Sequence, residues 1–386
     1  MTAKGGNLVL LIKNGNIITD DKIIEGKNLI INEGKICAIT DDAPDIPDVI
    51  DAKGLFVSPG FIDIHIHGAG GYDVMDGSVE AINGISKVIA EHGTTSFFPT
   101  TMTTSVDDIK HAVQAVKEAI KLNRNTANIM GMHLEGPFIN PVFKGAQEER
   151  FIVKPSIKLL SYILDDDFSI LKRITIAPEI EGSHELIKFL VGHGIVVSAG
   201  HSNGTYDEIM DAIGMGVTHS THLYNAMRAL NHREPGVVGA IFDSSITTEF
   251  IADGIHIHFA AIRVAISIKG YKNCALITDA MRACCMKDGV YSLGGQEVFV
   301  KENAARLKGG TLAGSTLTLD RAVRNVLKNT SLNIAEAVSM ATSVPAKIMG
   351  IDNRKGYIKQ GHDADIIIFD NGINIKNAII GGKVIM

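Results

Sequence analysis

Alternating strand and helix patterns in the middle of the chain limit its possible folds more than any other feature. Short apolar runs recur eight times between about residue 59 and residue 345, and helical periodicity separates most of them. The predicted strands are Phe61–Ile64, Thr95–Pro99, Asn128–Met132, Arg173–Ala177, Ile195–Ala199, Val217–His219, Glu249–Ala252 and Ala275–Thr278. The predicted helices are Val106–Leu122, Ser156–Leu164, His184–Gly192, Tyr206–Ile213, Ala260–Ile268, Leu317–Leu327 and Ile334–Ala341. Eight β/α units in roughly 290 residues predict an α/β fold of the (β/α)8, TIM-like barrel type, with an open doubly wound sheet as the alternative.

Both ends of the chain have a different pattern, in which short apolar runs are broken by turn residues. The runs are Leu8–Lys13, Ile17–Thr19, Leu29–Ile31 and Ile36–Ile39 near the N-terminus, and Ala364–Phe369, Asn377–Ile380 and Lys383–Ile385 near the C-terminus. This pattern is typical of antiparallel hairpins. We therefore predict a small β-sandwich domain built from residues 1–58 and 346–386, with the barrel domain covering residues 59–345.

Charge and cysteine content narrow the classes of partner. The 386 residues carry 37 Lys and Arg against 43 Asp and Glu, a net charge of -6, which argues against a nucleic-acid partner. The apolar run Leu8–Ile12 is too short for a signal sequence or a membrane span. The four cysteines, Cys37, Cys274, Cys284 and Cys285, show no zinc-finger or CxxC spacing, so we predict unpaired thiols in a cytoplasmic protein.

Polar residues that can bind a metal ion follow five of the eight predicted strands. His65 and His67 are two apart at the end of the first strand, so their side chains point to the same side. The later strand ends carry Glu135, His201, His222 and Asp279. Each histidine alone is more simply a hydrogen-bonded core residue. In a barrel, however, all these strand ends meet at one face, and the set suits a divalent ion such as zinc or iron.

The remaining histidines and Asp279 allow narrower expectations. His92, His111, His184 and His193 fall in or beside helices and are expected to be structural, His219 is expected inside a strand, and His362 lies in the terminal domain. His256 follows the seventh strand and is a further site candidate. Asp279 suits a general base that accepts a proton from water and passes it to a leaving nitrogen, and its alternative role is a helix cap. The predicted chemistry is hydrolysis of an amide-like bond or a deamination.

The motifs resemble the amidohydrolase superfamily and, within it, the deacetylases of phosphorylated amino sugars. The resemblance spans nearly the whole chain, on Ser58–Gly60 with His65 and His67, His133–Phe138, Gly200–Ser202, Thr221–Met227, Arg233–Gly236, Asp253–His256, Thr278–Ala280, Leu312–Ser315 and Gly356–Asp365. It implies that Glu135, His201 and His222 hold one metal ion. It also implies that His65 and His67 hold a second ion, with Glu135 bridging and Asp279 as catalytic acid/base and possible ligand.

The same resemblance implies a substrate and an assembly. The implied reaction converts N-acetylglucosamine 6-phosphate to glucosamine 6-phosphate and acetate, a step of amino-sugar catabolism. The implied substrate contacts are Ala146, Gln147, Asn225, Ala226, Arg233, His256, Leu312, Ala313 and Gly314. The implied assembly is a homodimer in which His256 reaches across the interface. The alternatives are an enzyme for the galactosamine isomer, another amidohydrolase, and a non-catalytic binding protein on the same fold.

Overall fold

Eight parallel strands form the centre of the computed structural model, which describes residues 9–20, 22–122 and 126–386. Leu8, where the first apolar run was predicted to begin, lies outside these ranges. The eight core strands are Phe61–Ile66, Thr94–Pro99, Met132–Glu135, Leu171–Ile176, Val196–Ala199, His219–Ser220, Thr247–Ile251 and Cys274–Ile277. Seven of the eight predicted strands are confirmed. The prediction Asn128–Met132 is corrected, because the chain forms a separate two-residue strand, Asn128–Ile129, before the core strand that carries Glu135.

The core strands pair in chain order. The last six form one parallel sheet, and the first two pair in parallel in another. A parallel bridge between Thr100 and His133 joins the second strand to the third. On the other side, the Asp279 amide donates to the carbonyl of His65 at 2.9 Å, and the His67 amide donates to the carbonyl of Ala280 at 2.9 Å. These bonds bring the residues after the first and the last core strand together.

Helices lie between the core strands and after the last of them. In the described residues they are Val79–Ala90, Val106–Leu122, Ile157–Leu164, Ser183–Gly192, Tyr206–Gly214, Gly236–Asp243, Phe259–Lys269, Leu319–Asn329, Ile334–Ser339 and Ser343–Ile348. The seven predicted helices are all present, within two residues at most ends. Three helices, Val79–Ala90, Gly236–Asp243 and Ser343–Ile348, were not predicted. Gly236–Asp243 contains two glycines, which are poor helix formers, and its burial on almost all sides removes the amphipathic pattern.

Strands from both ends of the chain form one eight-stranded sheet. Its members are Val9–Thr19, Lys22–Asn32, Lys35–Thr40, Asp48–Asp51, Phe56–Pro59, Ile366–Phe369, Ile375–Ile380 and Lys383–Val384. Phe56–Pro59 pairs in parallel with Val9–Thr19 and antiparallel with Ile366–Phe369, which ties the two termini together. Strands from the two ends of the chain thus share one sheet. The two-layered sandwich and the domain limits at residues 58 and 346 stay predictions.

Two small antiparallel sheets are present, one after the first core strand and one after the last. Gly68–Ala69 pairs with Tyr72–Asp73, and a three-stranded sheet contains Gly289–Leu293, Gln296–Lys301 and Ala304–Leu307. The three-stranded sheet was not predicted, and it borders the cavity described below. Within the described residues, no helix combines the length and the apolar character that a membrane span requires.

Gly60 lets the first core strand lie close to its neighbour. A Cβ atom at this position would stand 2.1 Å from Thr95 Cγ2 and 2.2 Å from Thr95 Oγ1, closer than real Cβ contacts. The Gly60 amide also donates to the carbonyl of Asp365 in the C-terminal segment, at 2.9 Å. A side chain here would push the two strands apart. Gly60 thus positions the strand that carries His65.

Candidate active site and metal centre

Six buried side chains meet where the core strands end, and they form two groups suited to metal ions. One group contains His65, His67 and Asp279, and the other contains Glu135, His201 and His222. Within each group the potential ligand atoms lie within 4.8 Å of one another. None of the six residues is more than 9% exposed. The structure thus brings together all the metal ligands that the sequence predicts.

Glu135 lies between the two groups. Its Oε1 is 3.1 Å from His222 Nε2, 3.3 Å from His201 Nε2 and 3.4 Å from His65 Nε2. Its Oε2 is 3.3 Å from His67 Nε2 and accepts a hydrogen bond from Gln147 Nε2 at 2.8 Å. One carboxylate therefore contacts all four imidazoles. This position suits the bridging role that the resemblance implies for Glu135.

Each of the four imidazoles is held through Nδ1, so that Nε2 faces the cluster. The partners are carbonyl oxygens for three of them: Thr100 for His67 at 3.1 Å, Phe143 for His201 at 2.9 Å, and Asn225 for His222 at 3.1 Å. The fourth, His65, has its Nδ1 2.9 Å from Glu249 Oε1. Such partners fix the tautomer and the ring orientation of metal-binding histidines. The sequence did not reveal them.

Three of the six residues have a left-handed backbone. The φ angles are 47° at His201, 29° at His222 and 47° at Asp279. Residues with side chains seldom adopt this conformation, and it persists where the surroundings impose it, often at functional sites. Each of the three comes just after a core strand. The turn out of each strand therefore sets the direction of these side chains.

Charges in the cluster shift the pKa values of its members. Burial lowers the pKa of His65, but the negative charges of Glu135 and Asp279 outweigh it and raise that pKa to about 9. His67 shows the same balance, with a pKa of about 10. Burial raises the pKa of Glu135, but positive charge on His65 and His201 holds it well below its usual value. The two buried carboxylates are therefore stabilised by positive charge at this site. Protons on the histidines or bound metal ions can supply that charge.

A layer of buried polar groups lies beneath the cluster. Arg173 and Glu249, both fully buried, form an ion pair, and His219 Nε2 lies 3.2 Å from Glu249 Oε2. Burial, followed by the positive charge of Arg173, lowers the pKa of His219 to about 4. The prediction that His219 lies inside a strand is confirmed. Neither Arg173 nor Glu249 was predicted, because nothing local distinguishes a charged residue within a strand that pairs with a distant one.

A cavity of about 340 Å³ opens above the cluster. Seven of the predicted substrate residues line it: Ala146, Gln147, Asn225, Ala226, His256, Leu312 and Gly314. Arg306, Leu293 and Met102, which were not predicted, also line the cavity. Ala313 is fully buried behind the cavity, and its amide donates to the carbonyl of Ala305 at 3.0 Å. The cavity thus brings the predicted substrate residues within reach of the cluster.

His256 and Arg233 have different surroundings. His256 lines the cavity of its own chain, and its Nδ1 lies 2.7 Å from Asp253 Oδ2. Arg233 is exposed, with Nη1 3.0 Å from His232 Nε2, and it is not among the described residues that line this cavity. The binding of phosphate by Arg233 and the reach of His256 across an interface stay predictions.

Comparisons with known proteins identify the family of this chain. Residues 56–385 match the model of the amidohydrolase family. The chain is 37% identical over 380 residues to an N-acetylglucosamine-6-phosphate deacetylase of Lysinibacillus sphaericus, covering 98% of each. It is 33% identical over 374 residues to an N-acetylgalactosamine-6-phosphate deacetylase of Escherichia coli O157:H7, covering 97% of this chain and 98% of that protein.

A solved structure extends the match to the fold. The crystal structure of N-acetylglucosamine-6-phosphate deacetylase from Pasteurella multocida superposes with a TM-score of 0.93 at 32% identity, covering 97% of this chain and 99% of that one. The sequence and the fold therefore point to the same family. The chain belongs to the amidohydrolase family.

Proposed function

We propose that this chain hydrolyses the acetamide of N-acetyl-D-glucosamine 6-phosphate to D-glucosamine 6-phosphate and acetate, with divalent metal ions bound. One observation carries the proposal. The two groups of histidine and carboxylate side chains meet at Glu135, at the base of a cavity that is lined by seven predicted substrate residues. The full-length similarity to a deacetylase of that substrate supports it. Two deacetylases of the glucosamine type match this chain at 37% identity, whereas the galactosamine-type relative matches at 33%.

The side chains present fit two divalent ions per subunit. Glu135, His201 and His222 would hold one, and His65, His67 and Asp279 would hold the other, with Glu135 shared. Imidazole nitrogens with carboxylate oxygens are the donors that zinc or iron accepts, whereas magnesium prefers oxygen alone. When bound, such ions polarise the substrate carbonyl and lower the pKa of water.

Asp279 is the proposed acid/base. Its Oδ1 lies 3.1 Å from His67 Nε2, at the edge of the cavity. Burial raises its pKa, but the positive charges of His65 and His67 hold that pKa below its usual value, so the carboxylate is ionised and can accept a proton. It would take the proton of the attacking water at Oδ1 and deliver it to the departing amine. The ejected amine needs this proton, because an amide anion is a poor leaving group.

The cavity walls divide between the two ends of the substrate. We assign the acetamide and the sugar ring to Gln147 and to the segment from Leu312 to Gly314. We assign the phosphate to His256, to the region of Asn225 and Ala226, and to Arg306. Arg306 Nη1 donates to the carbonyl of Gly310 at 2.7 Å. This hydrogen bond positions the guanidinium group of Arg306, which carries five N–H donors.

Acetate release by purified protein of known metal content tests the proposal. The substrates are N-acetylglucosamine 6-phosphate, its unphosphorylated form and the galactosamine isomer. A strong preference for the first, with about two metal ions per chain, supports the proposal. A preference for the galactosamine isomer would replace the substrate. Metal-loaded protein that acts on none of the three would instead favour a non-catalytic binding protein or another amidohydrolase.

We further propose that the eight core strands close into a (β/α)8 barrel. The bonds from Asp279 to His65 and from His67 to Ala280, together with the bridge between Thr100 and His133, support closure on both sides. The proposed setting is a reducing cytoplasm, which suits four free thiols, one of them exposed. The proposed assembly is a homodimer, and sedimentation of the metal-loaded protein tests it.

A further inference from the structure

A second cluster of reactive groups lies outside the metal site. Cys285 Sγ is 3.2 Å from His92 Nε2, and the other ring nitrogen of His92 is 3.4 Å from Asp320 Oδ1. The three residues come from separate parts of the fold: Cys285 follows the last core strand, His92 follows the helix Val79–Ala90, and Asp320 begins the helix Leu319–Asn329. A thiol, an imidazole and a carboxylate in this order are the arrangement that activates a cysteine nucleophile.

The cluster is open to solvent at its sulfur and buried at its carboxylate. Cys285 is exposed, whereas Asp320 is 7% exposed. Cys285 has φ 64°, a left-handed conformation that residues with side chains seldom adopt. The neighbouring Cys284 is buried, and its Sγ lies 3.3 Å from the carbonyl oxygen of Leu317. Only Cys285 of this pair is therefore accessible to a reagent.

The charges favour a thiolate at Cys285. The hydrogen bond from Cys284, together with His92, lowers the pKa of Cys285 to about 5 although burial opposes it. The bonds to Asp320 and Cys285 raise the pKa of His92 to about 10. Burial raises the pKa of Cys274 to about 12, which keeps that thiol protonated. Cys285 therefore differs from the buried thiols in both charge and access.

We propose that Cys285 is a covalent modification site that takes small-molecule disulfides, with His92 and Asp320 as its positioning residues. The thiolate sulfur attacks one sulfur of the disulfide and forms a new S–S bond, and the other half leaves as a thiolate. Cys285 is thereby oxidised and the leaving half is reduced, so no other oxidant is needed. A thiol reverses the step by the same exchange.

The adjacent Cys284 does not complete an internal disulfide in this scheme. Neighbouring Cα atoms are about 3.8 Å apart across a trans peptide, shorter than the usual span of about 4.4–6.8 Å between disulfide-bonded cysteines. Cys284 Sγ lies 3.7 Å from Cys285 Sγ, and it serves as a hydrogen-bonding neighbour. The modification therefore remains a mixed disulfide on Cys285.

Reaction of the metal-loaded protein with dipyridyl disulfide at pH 6 tests the proposal. Pyridinethione release gives the rate, and mass spectrometry of the peptides locates the label, with the partly exposed Cys37 as the internal standard. We expect Cys285 to react about tenfold faster than Cys37, because its larger thiolate fraction outweighs its lower intrinsic nucleophilicity. Cys285→Ser should remove the fast phase.

Two variants separate positioning from a structural effect. His92→Gln should slow the labelling of Cys285 about tenfold at pH 6 and leave the rate at Cys37 unchanged. His184→Gln, an exposed histidine distant in sequence, is the matched control and should change neither rate. Asp320→Asn provides the second variant if His92→Gln does not fold. Labelling of Cys285 no faster than that of Cys37, or equal in the wild type and the folded variants, would overturn the proposal.

Discussion

Arg173 and Glu249 form a two-pronged ion pair without exposure to solvent, directly beneath the candidate metal centre. Arg173 Nη1 lies 2.6 Å from Glu249 Oε2, and Nη2 lies 2.7 Å from Oε1. The same Oε1 is 2.9 Å from His65 Nδ1 and accepts a hydrogen bond from the His222 amide at 3.2 Å. The pair therefore links the stability of the strands to the orientation of a histidine in each metal group.

We expect Glu249→Gln to lower the free energy of unfolding by about 3–5 kcal/mol, because it leaves the charge of Arg173 buried without a counterion. Urea denaturation of the metal-loaded proteins measures this change. The matched control is Glu181→Gln, which removes the exposed ion pair with Lys154 and should change the free energy of unfolding far less. Equal stability of the two variants would show that the buried pair contributes little.

Replacing His65 and His67 together with asparagine should reduce the metal content from about two ions to about one per chain. The reason is that Glu135, His201 and His222 form a complete group without them. Elemental analysis after dialysis measures the content, with His184→Gln as the control. Two ions retained in the double variant would exclude this pair as ligands.

Asp279→Asn should lower kcat by about 10²–10⁴-fold, since an amide cannot accept the proton of water or return it to the amine. Acetate release measures kcat, and elemental analysis in the same samples reports any loss of metal. Full activity with metal bound would contradict the acid/base role.

Arg306→Ala should raise KM for the phosphorylated substrate by roughly 10–100-fold, because a hydrogen bond to a charged group contributes about 1.5–3 kcal/mol. The kcat and the rate on the unphosphorylated sugar should change little. Lys308→Ala, at an exposed residue on the same segment, is the control. Arg233→Ala in the same assay tests the sequence-based assignment, and an effect only at Arg233 would transfer the phosphate role there.

His219 should make the protein less stable in acid. Its pKa falls from 6.5 to about 4 on folding, so between these values the unfolded chain binds a proton that the folded chain does not. The contribution of neutral His219 to the free energy of unfolding is fully present above pH 6.5. It is lost as the pH falls towards 4, which lowers the free energy of unfolding by about 3 kcal/mol. Chemical denaturation at several pH values should show that the free energy of unfolding of His219→Gln declines less steeply with falling pH than that of the wild type. The exposed-site control His184→Gln should keep the wild-type slope.

Local patterns were sufficient for most of the order of elements and for naming the six residues that form the candidate metal centre. The helix Val106–Leu122 was predicted with the bounds it has, because its buried residues repeat at helical spacing. These residues could be named because each lies at or just after the end of a core strand, and parallel strands bring their ends together. Gly236–Asp243 escaped prediction because it is buried on almost all sides and lacks an amphipathic pattern. The strand Gln296–Lys301 was missed although its buried and exposed residues alternate.

The sequence by itself determined which side chains could bind metal and roughly where each strand would end. Only the tertiary structure decided that Glu135 contacts all four imidazoles, that Glu249 supports His65, and that Arg306 joins the cavity. It also decided that Cys285 meets His92, 193 residues away in the chain. The physical reason is that periodicity reports which face of a strand or helix is buried, whereas contacts between distant residues depend on how complete elements pack and how each side chain is directed.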